Sequence, residues 1–221
     1  MNQIIPPSFA FRFAFPVPHS DAIPRRGKRL LKLSEEHRLL RPGNDLSDES
    51  CPVTVSCGWN EKGIGFTVEV HGKQHPPVSN PDRPDETDAF QLWLHTRSAR
   101  TIHRANRLCH QFCVLPNGGG DDGLQPLIRQ IPVARANEDA PISPPDSFRA
   151  TTETLSDGYR LEFWLPADTL NGFNPEDSPQ LGFSWMLRDA ELGDITLTVD
   201  AAFPFASDPS LWETLDLHMP G

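Results

Sequence analysis

Residues 86–97, ETDAFQLWLHTR, constrain the fold more than any other stretch, because apolar side chains recur there at every second position. Phe90, Leu92, Leu94 and Thr96 alternate with Ala89, Gln91, Trp93, His95 and Arg97, the period of a strand that buries one side. The other side carries an amide, an indole, an imidazole and a guanidinium at alternating positions. Such a row suits a polar ligand with apolar patches, a sugar for example, better than it suits a core.

The same period returns along the chain. Phe9, Phe11, Phe13 and Phe15 alternate over residues 9–15 and predict an N-terminal strand ended by Pro16 and Pro18. Residues 53–59 and 64–71 flank the turn Asn60-Glu61-Lys62-Gly63 and predict a hairpin with Ile64, Phe66, Val68 and Val70 inward. Residues 109–116, 127–133, 148–155, 159–166, 181–189, 195–203 and 212–217 predict further strands, with chain reversals at 117–123 and at Ser156-Asp157-Gly158. Ser34 ahead of Glu35, Glu36 and His37, and Pro166 ahead of residues 167–170, each predict one helical turn.

With 23 prolines and 15 glycines in 221 residues, and no long amphipathic helical run, the chain reads as all-β. The expected architecture is an antiparallel β-sandwich of about ten strands, jelly-roll-like, with one or two short helical turns. Its length suits one domain over residues 1–221, with strand 9–15 packing on the rest and the proline-rich segments 76–86 and 134–145 as surface loops.

A formal charge of −10 argues against a nucleic-acid partner, whose phosphates need clustered cations. The one basic run, Arg25, Arg26, Lys28 and Arg29, reads as a solvated loop. No 18-residue apolar span is present, so no membrane partner is expected. The first residues lack a basic and then apolar leader pattern, which gives the expectation of a cytoplasmic protein with its four cysteines reduced. Cys109 and Cys113, on one strand, would lie about 13 Å apart, beyond disulfide reach of each other.

No nucleophile elbow, zincin helix, phosphate loop or dinucleotide fingerprint occurs. Cys51, Cys57, Cys109, His110 and Cys113, or His71, His75, His95 and His103, lack the spacing of a zinc site. No cofactor is expected. Calcium is the one ion with candidate ligands, in Asp121, Asp122, Asp189 and Asp200.

Three segments in order carry a family resemblance. Residues 59–70 followed by 88–97 resemble a paired-strand pattern, residues 158–170, GYRLEFWLPADTL, resemble a Gly-Tyr-x-apolar-Glu-x-x-apolar-Pro-x-x-x-Leu pattern, and residues 181–189 with Trp212, Leu215 and Leu217 resemble a terminal strand. Together, over about residues 50–217, they are similar to family 9 carbohydrate-binding modules and the related DOMON-like β-sandwiches. Gln91 stands where that family has an acidic residue, His95 where it has an aspartate, and no tryptophan precedes the strand in residues 81–87. The resemblance implies a β-sandwich that binds a saccharide without catalysis and sometimes carries calcium. Some DOMON relatives hold haem, but no axial Met and His pair can be assigned here.

Alternation and resemblance together nominate Trp93 and Trp164 as platforms for a saccharide or other small polar ligand, and Gln91, His95, Arg97, Arg160 and Glu162 as its hydrogen-bonding partners. Two alternatives stand beside this reading. One is a glycan-acting hydrolase with a carboxylate pair such as Glu69 and Glu162, and the other is a structural or partner-binding domain.

Overall fold

Alternating apolar residues pair into twelve strands among the residues that the computed structural model describes, which are 12–42, 51–98, 100–200 and 202–219. In chain order they are β1 (Ala14–Pro18), β2 (Arg38–Leu39), β3 (Val53–Asn60), β4 (Gly63–His71), β5 (Ala89–His95) and β6 (Cys109–Gly119). There follow β7 (Gln125–Ile131), β8 (Arg149–Leu155), β9 (Gly158–Pro166), β10 (Gln180–Asp189), β11 (Gly193–Thr196) and β12 (Glu213–His218). One sheet has the order β1-β12-β10-β5-β6-β7, with β11 added on β10, and the other the order β2-β3-β4-β9-β8. Every pairing is antiparallel except that of β1 with β12. Helical structure among the described residues is limited to single 3-10 turns, including those expected after Ser34 and Pro166. The protein is the all-β sandwich that its alternation predicts.

The inner faces are the predicted ones. Phe66, Val68 and Val70 of β4, Leu161 and Phe163 of β9, and Phe90 and Leu92 of β5 are fully buried in one core that both sheets share. The β3–β4 hairpin closes with Asn60 opposite Gly63. Gly63 has φ +147°, and a Cβ there would run into the backbone of Leu165 and the ring of Trp164 on β9, so the turn requires glycine. Asn60 ties this corner down: its Nδ2 donates to the carbonyls of Ser20 (3.0 Å) and Ile23 (2.6 Å), and its Oδ1 accepts from the Lys62 amide.

Several boundaries differ from expectation. Strand β1 runs through Pro16 to Pro18 where those prolines were expected to end it, and residues 9–11 of the predicted strand lie outside the described residues. Proline is tolerated because β1 is an edge strand that pairs only with β12, and only one side of its backbone has a ladder to serve. Strand β6 continues through Asn117 to Gly119 by a register shift, so the reversal is shorter than the glycine-rich run suggests. In the segment expected as strand 195–203, only the start belongs to β11, because the chain then leaves the sheet to place Val199 and Phe205 on its outer face. The two-residue strand β2 was not anticipated and pairs with Val55 and Ser56.

Both sheets are also covered on part of their outer faces. Leu30, Leu31 and Ile23 lie on Trp164 of β9, and the covering chain is held by a carboxylate. Glu162, 1 % exposed, accepts from Arg29 Nε (2.8 Å) and from the amides of Leu30 (2.6 Å) and Leu31 (3.0 Å). Removing it strands two buried amides and takes one partner from the half-exposed Arg29 guanidinium. Glu162→Ala is therefore expected to lower the unfolding free energy by about 3 kcal/mol, and Glu162→Gln, which keeps an acceptor, by clearly less, as read from urea denaturation of the three proteins.

Candidate functional site

The outer face of the other sheet is where covering is incomplete. Register places Gln111 of β6 opposite Trp93 of β5, and Gln91 of β5 opposite Met186 of β10, so these four side chains share one patch. The segment after β11 closes one side with Phe203, Phe205 and Ala206, leaving a cleft of about 290 Å³. Its floor is polar and its wall aromatic. Gln111 Nε2 donates to Gln91 Oε1 at 3.3 Å, and the Phe205 ring meets Trp93 edge-on, with centroids 5.2 Å apart. The indole Nε1–H of Trp93 is buried and has no hydrogen-bond partner among the described residues. A buried donor left unpaired is disfavoured by about 1–3 kcal/mol.

Arg188 of β10 lines this cleft and a second, larger one of about 550 Å³. The second is walled by Val78, Asn80, Arg83, Glu86 and Thr87 from the loop before β5, and by Asp88, Asp189 and Ala190. The Arg188 guanidinium is held by Asp194 through Nε (3.1 Å) and Nη2 (3.2 Å), which fixes the junction between the two clefts. The two clefts meet at Arg188 and form a groove along β5 and β10.

The expected ligand residues do not gather at one place. Gln91, Trp93 and His95 project from the outer face of the β5 sheet, while Arg160, Glu162 and Trp164 project from the outer face of the β9 sheet, on opposite sides of the sandwich. The solvent-facing indoles that alternation suggested are not found: Trp93 and Trp164 are each 2 % exposed, because segments distant in sequence lie over them. Trp59 and Trp185 are core residues. Arg160 is engaged by Glu69 (2.6 Å) and Glu153 (2.7 Å), and Glu162 by Arg29, so neither Glu69 nor Glu162 offers a carboxylate free of an arginine. Arg97 is half-buried, with Nη1 on the Thr96 carbonyl. Among the suggested calcium ligands, Asp189 is bound by Lys73 at 2.6 Å, while Asp121, Asp122 and Asp200 are exposed.

Sequence reasoning did not single out Gln111, Met186, Arg188 or Phe203. Gln111 and Arg188 were detectable as polar residues inside alternating strands. Phe203 was not, since its place depends on where the chain leaves β11.

Two histidines are buried in this sheet, His95 on its outer face and His110 on its inner face against Phe112. His95 has Nδ1 2.7 Å from the Arg97 carbonyl oxygen, and burial pushes its pKa down. His110 receives a hydrogen bond on Nδ1 from Gln130 Nε2 (3.1 Å), and burial pushes it down to about 4. Both imidazoles are therefore neutral in the folded protein at neutral pH. Cys109, directly across from His95, is pushed up to about 11 by burial, the reverse of an activated nucleophile.

No known family profile matches the sequence, and no curated protein does. Solved structures do match in shape. A family 9 carbohydrate-binding module from Caldicellulosiruptor kristjanssonii in complex with cellotriose superposes with a TM-score of 0.61 at 14% identity, covering 95% of this chain and 95% of that one. The structure of a family 9 module from the same organism with glucose gives 0.60 at 13% identity, covering 95% and 97%. The fold is that of the family 9 carbohydrate-binding modules.

The histidines set a pH dependence whose sign follows from their direction. A histidine with a depressed folded pKa leaves the unfolded chain binding more protons between about 6.5 and about 4, so folding stability declines as pH falls through that window. His95 and His37 act in the same direction, and Glu213, raised by burial, acts oppositely near its own pKa. Urea midpoints taken from about pH 7 to about pH 5 should fall, and His110→Gln should flatten that slope by up to roughly 1.4 kcal/mol per pH unit.

Proposed function

We propose that the protein binds a saccharide, without turning it over, in the groove along β5 and β10. The observation that carries this reading is a cleft on the outer face of β5 that combines the Gln91 and Gln111 amides with the rings of Trp93, Phe203 and Phe205. A pyranose needs both kinds of surface. Its hydroxyls pair with amides, guanidinium and indole N–H, while its C–H face rests on an aromatic ring. Here the ring is Phe203, which is only half-buried, since Trp93 lies beneath the cleft and serves through its edge.

Two further points support it. The solved modules with this fold were determined with cellotriose and with glucose, which makes a glucan the natural first ligand to test. The groove also offers little for hydrolysis. Among the described residues no carboxylate lines the Trp93 cleft, and in the second cleft Asp88 and Asp189 are bound by Lys73 and Glu86 is paired with Arg83. The junction at Arg188 gives room for more than one sugar unit, so a chain of three should bind more tightly than one.

Calorimetric titration tests this. Heat of binding is expected with cellotriose and, more weakly, with glucose. Phe203→Ala and Gln111→Ala should each weaken cellotriose binding about tenfold, the equivalent of about 1.4 kcal/mol, with little change in melting temperature. A wild-type protein silent toward both sugars and toward a wider glycan panel would remove the proposal.

A further inference from the structure

A strand at the end of a sheet leaves half of its backbone hydrogen-bonding groups without a ladder, and proteins shield such edges from other chains. The terminal strands of the two sheets are β1, β7, β2 and β8. Strand β1 carries Pro16 and Pro18, and β2 is two residues long. Strand β7 has Pro126 near its start and holds a covering loop through Gln130, whose Nε2 donates to the Pro141 carbonyl (2.8 Å) and whose Oε1 accepts from the Ser143 amide (3.0 Å). Strand β8 has none of these shields. It runs for seven residues, Arg149–Leu155, without proline or register shift, and no residue of it is buried.

Register fixes which groups the open side presents. The turn Ser156-Asp157 pairs Leu155 with Gly158, so Arg149, Thr151, Glu153 and Leu155 bond to β9, while Ala150, Thr152 and Thr154 turn their N–H and C=O groups away from it. Among the described residues no backbone group meets them. A cleft of about 700 Å³ lies along this side, lined by Ala150, Thr151, Thr152 and Glu153. Successive strand residues point to opposite faces, so a cleft that touches four in a row follows the edge. Leu124, 72 % exposed, stands with Gln125 and Pro126 on the facing wall. Thr152 Oγ1 donates to the Pro116 carbonyl at 2.7 Å, which holds the edge in place before anything binds.

The lip of this cleft is cationic. Lys28 and Arg29 line it, and Lys28 is exposed with no hydrogen-bond or ion-pair partner among the described residues. The carboxylate in the lining, Glu153, is bound by Arg160 at 2.7 Å. The loop that bears the cations is pinned: the Arg25 amide donates to the Leu30 carbonyl (2.8 Å), Arg149 Nη2 donates to the Arg25 carbonyl (2.5 Å), and Glu162 holds the Leu30 and Leu31 amides. In a chain of formal charge −10, an acidic segment is repelled by the protein as a whole and attracted at this lip. A second copy docking edge to edge would bring two cationic lips together, which disfavours that occupant. We propose that the open edge of β8 accepts an extended acidic segment of a partner protein as an added strand, its backbone pairing with Ala150, Thr152 and Thr154 and its carboxylates meeting Lys28 and Arg29. The site lies on the other sheet from the groove and is independent of what the groove binds.

The test uses dye-labelled peptides of about eight residues, enough to span β8, read by fluorescence anisotropy at neutral pH. A peptide of alternating valine and glutamate should bind saturably, and its valine–lysine counterpart should not. A glutamate–proline peptide of equal charge cannot pair as a strand and should bind at least about tenfold more weakly. Lys28→Glu should weaken binding of the valine–glutamate peptide about tenfold. Thr154→Pro removes an outward N–H where an edge strand tolerates proline, and should weaken that peptide about as much with little change in melting temperature. Hydrogen exchange of residues 149–155 should slow when the peptide is bound. Equal binding of the glutamate–proline peptide, binding of polygalacturonate in place of the peptide, self-association of the protein in ultracentrifugation, no saturable binding, or an affinity unmoved by both variants would each overturn it.

Discussion

Five aromatic rings in contact join the two sheets. Phe66 of β4 stacks on Phe163 of β9 and on Phe183 of β10, Phe163 meets Phe90 of β5, and Phe90 stacks on Trp185 of β10, with centroid separations of 5.4–5.9 Å. Two of these rings belong to the smaller sheet and three to the larger. Rings of this size bury about 150–250 Å² each, and aromatic pairs add roughly 0.5–1.5 kcal/mol beyond that burial. Because side chains alternate, fixing these rings inward forces Thr67, Glu69, Gln91, Trp93, Glu162, Trp164, Met186 and Arg188 outward. The chemistry of both outer faces follows from the packing between the sheets.

Those outer faces are then treated differently. Over β9, the segment carrying Leu30 and Leu31 seals Trp164, and Glu162 is consumed in satisfying that segment's own amides. Over β5, the covering chain comes from the region after β11 and arrives with phenylalanines, which can pack against Trp93 but cannot satisfy its indole N–H. The Trp93 indole N–H is left without a hydrogen-bond partner among the described residues.

Lys73, buried between Asp88 and Asp189, sits where these constraints meet. Asp88 ends the loop before β5 and Asp189 ends β10, so the same two strands that floor the groove bring the two aspartates together. A buried ion pair of this kind adds less to stability than its distances suggest, because both charges must be taken out of water. Its effect is geometric: it holds the connection between β4 and β5 against the β10–β11 turn beside the second cleft.

The alternation of apolar residues was sufficient to find nearly all the strands, the β3–β4 and β8–β9 hairpins, and which side chains share a face, because a strand's period of two depends only on local backbone geometry. It also placed Gln91 and Trp93 together on the outward side of β5. Whether an outward residue meets solvent was beyond its reach. That depends on which remote segment lies over the sheet, here residues near Leu30 for Trp164 and near Phe205 for Trp93, and on whether that segment brings groups able to satisfy what it covers. Sequence by itself therefore determined sidedness, while the tertiary structure alone decided coverage, and with it that Phe203, Gln111 and Arg188 complete the groove and that Lys73 reaches Asp189 across 116 residues of chain.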